Sequence, residues 1–250
     1  MKKLTLLGID LVHEKNKITD HLTRSIRQKN KFSVITLNSV MLFHYFVDRN
    51  FRKAVHNSYF IIPEGIGVSL IARLFNQKID IFPGIDLLCQ LFRMAERKGF
   101  TVFLLGGKQP VIEKAFQNIK KKYPRLKIKG RAYGYLSEGD KITLFKHLKT
   151  LKPDILIVGM GSVRQENYIY ENWKKIQAIM IIGVGGSFDI LSGYKKRAPV
   201  WVRDLHLEWL YRSLLSPRKI IDLFKICLLL IIVLYIKITK GEKRINKILL

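Results

Sequence analysis

The sequence is short of cysteine and of acidic residues, and both shortages exclude classes of protein. Its 250 residues include two cysteines, Cys89 and Cys227, too few for a disulfide framework or a cysteine zinc cluster. The 19 acidic residues face 45 lysines and arginines, which leaves a formal net charge of +26. Such a surface favours polyanionic partners, namely nucleic acid, anionic lipid or phosphorylated substrates. Charge alone does not choose among these three classes.

Several sequence signatures of catalysis and export are missing as well. The chain contains neither the G-x-G-x-x-G dinucleotide fingerprint, nor a P-loop, nor the G-x-S-x-G turn of serine hydrolases. Its six histidines show no H-E-x-x-H spacing and no D-x-D segment occurs, so we expect no cofactor and no obligatory metal ion. The apolar run at the start ends at Asp10, too early for a secretory signal, so we expect no export.

What the sequence does contain is an alternation of short apolar runs and longer amphipathic segments. The apolar runs end in Gly or Asn and predict six strands: 32–38, 59–65, 100–107, 126–134, 153–161 and 178–186. Helix-length segments lie between them: 39–56, 66–76, 85–98, 110–123, 139–151 and 164–176. Continuous apolar runs suit strands that are buried on both faces. The alternation therefore predicts a Rossmann-like α/β fold, with a mainly parallel sheet flanked by helices.

The pattern changes after about residue 195, which divides the sequence into two predicted parts. Residues 1–195 form the predicted α/β catalytic domain, and residues 196–250 form a helical, membrane-associating C-terminal appendage. The appendage divides into an amphipathic helix, an apolar membrane segment and a basic tail: 200–219, 220–238 and 239–250. From Lys195 to Leu250, 13 lysines and arginines face 4 acidic residues. Apolar sequence beside such a basic excess is typical of membrane anchoring.

The apolar segment of the appendage is short for a helix that spans a membrane. Its uncharged part, Ile226–Ile236, has 11 residues, or about 16 Å as a helix. The hydrocarbon core of a bilayer is about 30 Å thick, and extension of the segment to 220–238 brings in Asp222. We therefore favour an interfacial or re-entrant anchor. A short spanning helix and a buried helix of a soluble core stay open as alternatives.

The residues that close the predicted strands are candidates for a ligand site, because open parallel sheets bind ligands beyond the carboxyl ends of their strands. These residues are Thr36, Asn38, Glu64, Gly106, Gly107, Gly161, Gln165, Gly185, Gly186 and Asp189. Glycines at strand ends let a phosphate approach backbone N–H groups closely. For any one pair, a simple tight turn is the better explanation of the glycines. Their recurrence at several strand ends favours a nucleotide site.

An ordered set of short segments carries a family resemblance over roughly residues 4–219. The segments are "TLN" (36–38), "PEGIGV" (63–68), "GIDLL" (84–88), "FLLGG" (103–107), "GMGSVRQE" (159–166), "GVGGSFDILSG" (183–193), "KRAP" (196–199) and "LEWLYR" (207–212). Together they resemble the WecG/TagA/CpsF family of bacterial glycosyltransferases, glycosyltransferase family 26. No single segment is decisive, whereas their order is specific.

The resemblance implies an inverting hexosyltransferase of cell-surface polysaccharide or teichoic acid synthesis. It would move a sugar, N-acetylmannosamine or a related hexose derivative, from a UDP-sugar to an acceptor linked to undecaprenyl diphosphate. By the same resemblance the catalytic base falls on Glu64, and a second active-site position falls on Gln165. Other substrate contacts fall on Thr36, Asn38, Arg203, Arg212 and Arg218.

Two departures from the family pattern affect this interpretation. The presumed base is Glu64 where the family usually has Asp, and an arginine that often precedes the "GIDLL" segment is replaced by Ile81 or Phe82. The missing arginine leaves the donor sugar open. Two alternatives to this function also stay open. One is a catalytically altered family member that assists a partner glycosyltransferase, and the other is a different nucleotide-dependent Rossmann-like enzyme.

A nucleic-acid-binding protein is the third alternative, and the distribution of charge disfavours it. The basic residues are spread along many predicted helices, and no RNA- or DNA-binding motif is present. The expected partners are therefore a UDP-sugar, a lipid-diphosphate-linked acceptor and an anionic membrane surface, and not nucleic acid. A homo-oligomer is left open. The expected location is the cytoplasmic face of the bacterial cell membrane, as a peripheral or monotopic protein.

Overall fold

A six-stranded parallel sheet forms the centre of the protein. The computed structural model describes residues 3–204, 208, 211 and 220–239. The strands of the sheet are β3 (Phe32–Leu37), β4 (Phe60–Pro63), β5 (Thr101–Gly106), β6 (Lys127–Ala132), β7 (Ile155–Gly159) and β8 (Met180–Gly183). They lie in the order β4-β3-β8-β7-β5-β6. The predicted strands and the predicted α/β fold with a parallel sheet are confirmed.

Helices follow the strands and cover both faces of the sheet. They are α1 (Ile18–Arg27), α2 (Ser39–Val47), α3 (Arg49–His56), α4 (Ile66–Leu74), α5 (Gly84–Lys98), α6 (Gln109–Lys122), α7 (Glu138–Leu151), α8 (Arg164–Glu171), α9 (Ser187–Leu191), α10 (Val200–Asp204) and α11 (Ile220–Thr239). The predicted helix 39–56 is divided in two at Asp48. The Asp48 carboxylate accepts hydrogen bonds from the N–H groups of Asn50 and Phe51, at 2.9 and 3.1 Å, and so starts a new helix.

Alternate residues of each central strand pack into different apolar clusters, as a strand with both faces buried requires. In β7, Ile155 and Ile157 pack on the face covered by α1, α5 and α6. Leu156 and Val158 pack on the opposite face, against α7 and α8. Because both faces are covered, the open positions for polar chemistry are the strand ends.

An N-terminal β-hairpin, which the sequence patterns did not predict, adds to the core. Strands β1 (Lys3–Leu6) and β2 (Ile9–Val12) pair antiparallel across the two-residue turn Leu7-Gly8. Both turn residues have positive φ, +51° and +82°, as short hairpin turns that match the strand twist require. The hairpin packs beside β4, and Leu6, Leu7 and Leu11 are buried.

The predicted apolar segment 220–238 forms α11, which packs against α2. Leu229, Val233 and Ile236 lie on the buried stripe of α11, within the cluster that includes residues of α2 and β4. In the ranges that the structure describes, none of the helices has both the length and the apolar character that a membrane crossing requires. Of the predicted amphipathic helix 200–219, the structure describes α10 and two isolated positions, and the basic tail lies outside the described residues.

Candidate active site

The carboxyl ends of the parallel strands open into one large cleft of about 1940 Å³. Most of the predicted site residues line this cleft: Thr36, Asn38, Glu64, Gly107, Gly161, Gln165, Gly185, Gly186 and Asp189. Gly106 is not part of the lining. Arg203 belongs to α10 but its side chain lies outside the described part of the chain, as do Arg212 and Arg218 entirely. The structure therefore brings the strand-end residues together and leaves the three arginines as predictions.

Glu64 follows β4 directly and lies half-buried in the cleft wall. Its backbone N–H donates to the carbonyl of Leu37 at 2.7 Å, which extends the pairing of β3 and β4 by one residue. Its carboxylate Oε1 accepts a hydrogen bond from the N–H of Gly84 at 3.0 Å. Gly84 is the first residue of α5, so the carboxylate lies at the positive end of a helix. A Cβ on Gly84 would come within 3.1 Å of Oε1, so glycine allows this close approach.

Asn38 and Thr36 join neighbouring strand ends around Glu64. The Asn38 Oδ1 caps α2 by accepting from the N–H of Met41 at 3.0 Å, and its Nδ2 donates to the Ser162 hydroxyl at 3.4 Å. The Thr36 hydroxyl is buried and donates to the carbonyl of Gly183 in β8 at 3.3 Å. These bonds fix β3, β7 and β8 relative to one another at the cleft.

The strand-end glycines differ in their surroundings. Gly106 lets two strands approach, because a Cβ there would lie 2.3 Å from the carbonyl oxygen of Gly159. The N–H groups of Gly107 and Gly185 already donate within the protein, to the carbonyl of Gly159 and the Oε1 of Gln165, both at 2.9 Å. By contrast, Gly161 has φ +94° and open space where a Cβ would lie. Phosphate binding by these glycines stays a prediction.

Gln165 and the adjacent Glu166 form a buried pair in the first turn of α8. Gln165 is 1% exposed and Glu166 is 2% exposed. The Gln165 Nε2 donates to the Glu166 Oε1 at 2.6 Å, while its Oε1 accepts from the Gly185 N–H. Burial, and to a smaller extent the charge of Glu64, raise the pKa of Glu166 to about 7. The sequence pattern indicated Gln165 but not Glu166, although both occur in the segment "RQE".

Basic side chains of several elements surround the cleft. They include Lys15, Lys108, Arg164, Lys195 and Arg197. Arg197, from the "KRAP" segment, forms two 2.8 Å bonds with the Asp86 carboxylate at the start of α5. These bonds raise the pKa of Arg197. Lys195 pairs with Asp189. Neither Lys195 nor Arg197 was predicted from the sequence to be a site residue.

The position of the missing family arginine is occupied by apolar side chains. Ile81 lines the cleft, whereas Phe82 is buried in the core. No guanidinium group therefore enters the cleft from this loop. Within the described ranges, no three potential metal ligands come together.

One wall of the cleft is built by α11. Lys225, Ile226 and Leu230 line it there, and Leu70 of α4 lines it with 49% of its surface exposed. The Lys225 ammonium lies 3.3 Å from the Nε2 of His44 on α2. Burial first, and then the charge of Lys225, lower the pKa of His44. Asp222 also lines the cleft there, with its carboxylate 3.8 Å from the Lys225 ammonium, so the wall is apolar with an ion pair at its edge.

The fold and the cleft define an α/β enzyme that binds its ligands at the carboxyl edge of a parallel sheet, with a carboxylate among strand-end glycines. Comparison with known proteins narrows this class. The sequence model of the Glycosyl transferase WecG/TagA/CpsF family matches residues 4–244, so the chain belongs to this family of glycosyltransferases.

Two relatives carry the same descriptive name. The chain is 36% identical over 193 residues to an N-acetylglucosaminyldiphosphoundecaprenol N-acetyl-beta-D-mannosaminyltransferase of Bacillus subtilis, a match that covers 77% of this chain and 75% of the relative. It is 28% identical over 252 residues to a protein of that name from Staphylococcus aureus, covering 98% of this chain and 95% of the relative. The family resemblance drawn from the sequence is confirmed.

Proposed function

We propose that the protein transfers N-acetylmannosamine from UDP to N-acetylglucosamine linked to undecaprenyl diphosphate, with inversion at the anomeric carbon. The observation that supports this most is the position of Glu64, a carboxylate in the cleft wall of a family member whose relatives are named for that transfer. The product would be a lipid-linked disaccharide for teichoic acid or a related surface polysaccharide.

In this mechanism Glu64 is the general base. The acceptor hydroxyl oxygen bonds to C1 of the donor sugar while the bond from C1 to the diphosphate oxygen breaks, and the hydroxyl proton passes to the Glu64 carboxylate. The Gly84 N–H holds Oε1, which fixes the direction of the carboxylate. Because UDP is a stable anion, its departure does not depend on a strong general acid.

The charge that develops on UDP requires compensation, and the cleft offers it. Lys108, Arg164 and Lys195 line the cleft on its β5, β7 and β8 sides. Preorganised cations and N–H groups stabilise a leaving diphosphate more than water does, because they need no reorganisation during the reaction. The predicted contributions of Arg203, Arg212 and Arg218 would add to this charge.

The lipid part of the acceptor would leave the cleft along α11. Its cleft side presents Ile226 and Leu230, and Lys225, which lies beside His44 and 3.8 Å from the Asp222 carboxylate, would contact a phosphate group. The outer side of α11 exposes large apolar side chains: Phe224, Ile231, Leu234, Tyr235 and Ile238. We propose that this outer side rests in the cytoplasmic face of the membrane, so that the protein is peripheral or monotopic there.

A donor panel tests this function. The full chain is incubated with UDP-N-acetylmannosamine, UDP-N-acetylglucosamine or UDP-glucose and a short-chain prenyl-diphosphate N-acetylglucosamine, and the lipid product is analysed by mass. The proposal predicts one added N-acetylhexosamine with the first donor and much less product with the others. Transfer of glucose alone would contradict the assigned donor. No transfer with any donor would favour the alternative of a family member that assists a partner glycosyltransferase.

A further inference from the structure

The Gln165–Glu166 pair behind the cleft has a geometry that the proposed reaction does not by itself explain. Gln165 uses both ends of its amide: Nε2 donates to Glu166, and Oε1 accepts from Gly185. A glutamine amide has one orientation that satisfies both bonds. Glu166 therefore determines which end of Gln165 faces the turn after β8.

The space around the pair is tightly fitted to these two side chains. A Cβ on Gly183 would lie 2.5 Å from both the Gln165 Nε2 and the Glu166 Oε1. The Gly183 carbonyl also accepts the bond from Thr36, so the pair lies directly behind a predicted substrate contact. Val163, at the start of α8, has φ +70°, which is strained for a β-branched residue. Strain of this kind persists where the surrounding contacts hold a segment in place, and it concentrates at functional sites.

We propose that Glu166, kept as a neutral carboxylic acid, is a positioning residue that fixes the Gln165 amide and through it the Gly185 turn of the active site. The neutral form follows first from burial, since a charged carboxylate without solvent is costly. The Glu166 Oε2 is buried and has no hydrogen-bond partner among the described residues. Ionisation would leave that charge unpaired.

A nearby charge also favours the neutral form of Glu166. Glu64, at the end of β4, raises the pKa of Glu166 further. The hydrogen bond from the Gln165 amide, and then the N–H groups of Glu166 and Val163, oppose this rise in pKa, and none of these groups bonds to Oε2. Helix α3 packs against α8 and carries four basic or titratable side chains, Arg49, Arg52, Lys53 and His56. Glu166 therefore keeps its proton below pH about 7 and loses it above.

This inference rests on the proposed function, because the second negative charge matters most when Glu64 is the base and UDP is bound. An ionised Glu166 would repel both the Glu64 carboxylate and the diphosphate. It would also strengthen the bond from Gln165 and draw its amide inward. We therefore expect turnover to fall as the pH rises through about 7.

The test compares three variants of the full chain over a range of pH. Glu166→Gln keeps an acceptor for Gln165 without a titrating proton, so its kcat should stay within about threefold of the wild type near neutrality and lose the alkaline fall. Glu166→Leu removes the acceptor, so its kcat should drop by about tenfold or more at every pH. Glu138→Gln is the matched control, because Glu138 occupies the first turn of α7 but is exposed. It should keep the wild-type profile.

Two results would overturn the inference: an unchanged alkaline fall in Glu166→Gln, or equal impairment of Glu166→Gln and Glu166→Leu. Carboxyl ¹³C NMR of glutamate-labelled protein provides a reading that does not depend on transferase activity. The resonance that Glu166→Gln removes should titrate near pH 7, and titration near 4.5, the ordinary value, would contradict the neutral acid. If no sugar is transferred but the Glu166 resonance titrates near pH 7, the result would count against the proposed function and not against the neutral acid.

Discussion

Two glutamates at the carboxyl edge of the same sheet occupy opposite environments. Glu64, after β4, is half-buried in the cleft wall and accepts a backbone N–H from the start of α5. Glu166, after β7, is 2% exposed, bonded to a neutral amide, and has a raised pKa of about 7. Under the proposed roles, one residue type supplies a base and a neutral support at the same edge of the sheet, because solvent access and hydrogen-bond donors differ between the two positions.

Replacement of Glu64, the half-buried glutamate, should have the largest effect. Glu64→Gln keeps the bond from Gly84 but removes the proton acceptor, so kcat should fall roughly 10²- to 10⁴-fold. UDP affinity and the unfolding transition should change little. Glu64→Asp keeps a carboxylate, set back by one methylene, so its kcat should lie between that of the wild type and that of Glu64→Gln. Steady-state rates with UDP binding by calorimetry check this, and near-normal turnover of Glu64→Gln would exclude Glu64 as the base.

Replacement of the buried member should instead change stability with pH. The folded-state pKa of Glu166 is raised from 4.5 to about 7, so stability that is present below about pH 4.5 is lost as the pH rises through 7. Glu166→Gln has no proton to lose at this position, so its free energy of unfolding should not fall in this way. The difference in free energy of unfolding between Glu166→Gln and the wild type should therefore grow, in favour of the variant, by about 3 kcal/mol between pH 4.5 and 7. Urea denaturation at several pH values measures the difference.

Glu138→Gln again provides the control, because the pKa of Glu138 is shifted in the opposite direction to that of Glu166. Hydrogen bonding to Lys141, and the Lys141 charge, lower the pKa of Glu138, so any contribution from that group is present at neutral pH and lost on acidification. An advantage of Glu166→Gln that does not change with pH would contradict a neutral buried acid.

Gly183, which lies against Gln165 and Glu166, is the third position at which a substitution should have a measurable effect. Gly183→Ala places a Cβ 2.5 Å from Gln165 and Glu166, and overpacking of this kind costs about 2 kcal/mol of stability. The displaced amide should also lower kcat by about tenfold. Gly139→Ala is a suitable control, because the nearest atom to its Cβ, the Ser137 Oγ, is 3.9 Å away. Equal behaviour of the two variants in thermal unfolding and turnover would refute the tight fit.

A conservative change away from both glutamates should have the smallest effect. Arg197→Lys replaces the two bonds to Asp86 by at most one. Since both side chains are partly exposed, the loss of stability should be about 1 kcal/mol. The KM for the UDP-sugar should rise a few-fold, because the segment that follows Asp189 is held less firmly. Denaturation and initial-rate measurements check this, and a kcat loss as large as that of Glu64→Gln would contradict a separate base.

Much of the fold could be predicted because apolar runs buried on both faces leave a clear sequence pattern. The N-terminal hairpin could not, since Leu7-Gly8 lacks the Asn-Gly signal of such turns. The packing of α11 on α2 also escaped prediction, because it joins residues about 180 positions apart, as in the contact of Lys225 with His44. Sequence patterns indicated that this segment was apolar, but not which surface would cover it.

For the site, position at a strand end was enough to select Glu64 and Gln165. Glu166 is adjacent to Gln165, and a helix of eight residues is too short for periodicity to indicate which side chains face the core. Glu166 can be buried there because Gly183 of β8 has no side chain, and these two residues are distant in the sequence. The contributions of Arg203, Arg212 and Arg218 stay predictions.

The anomeric configuration of the product tests the central claim most directly, because a single base at Glu64 allows one displacement at C1. UDP-N-acetylmannosamine carries its diphosphate in the α configuration, so inversion at C1 predicts a β-linked disaccharide, measured from the one-bond C1–H1 coupling by NMR. An α-linked product would require two displacements or a different attack, and would contradict Glu64 as the base.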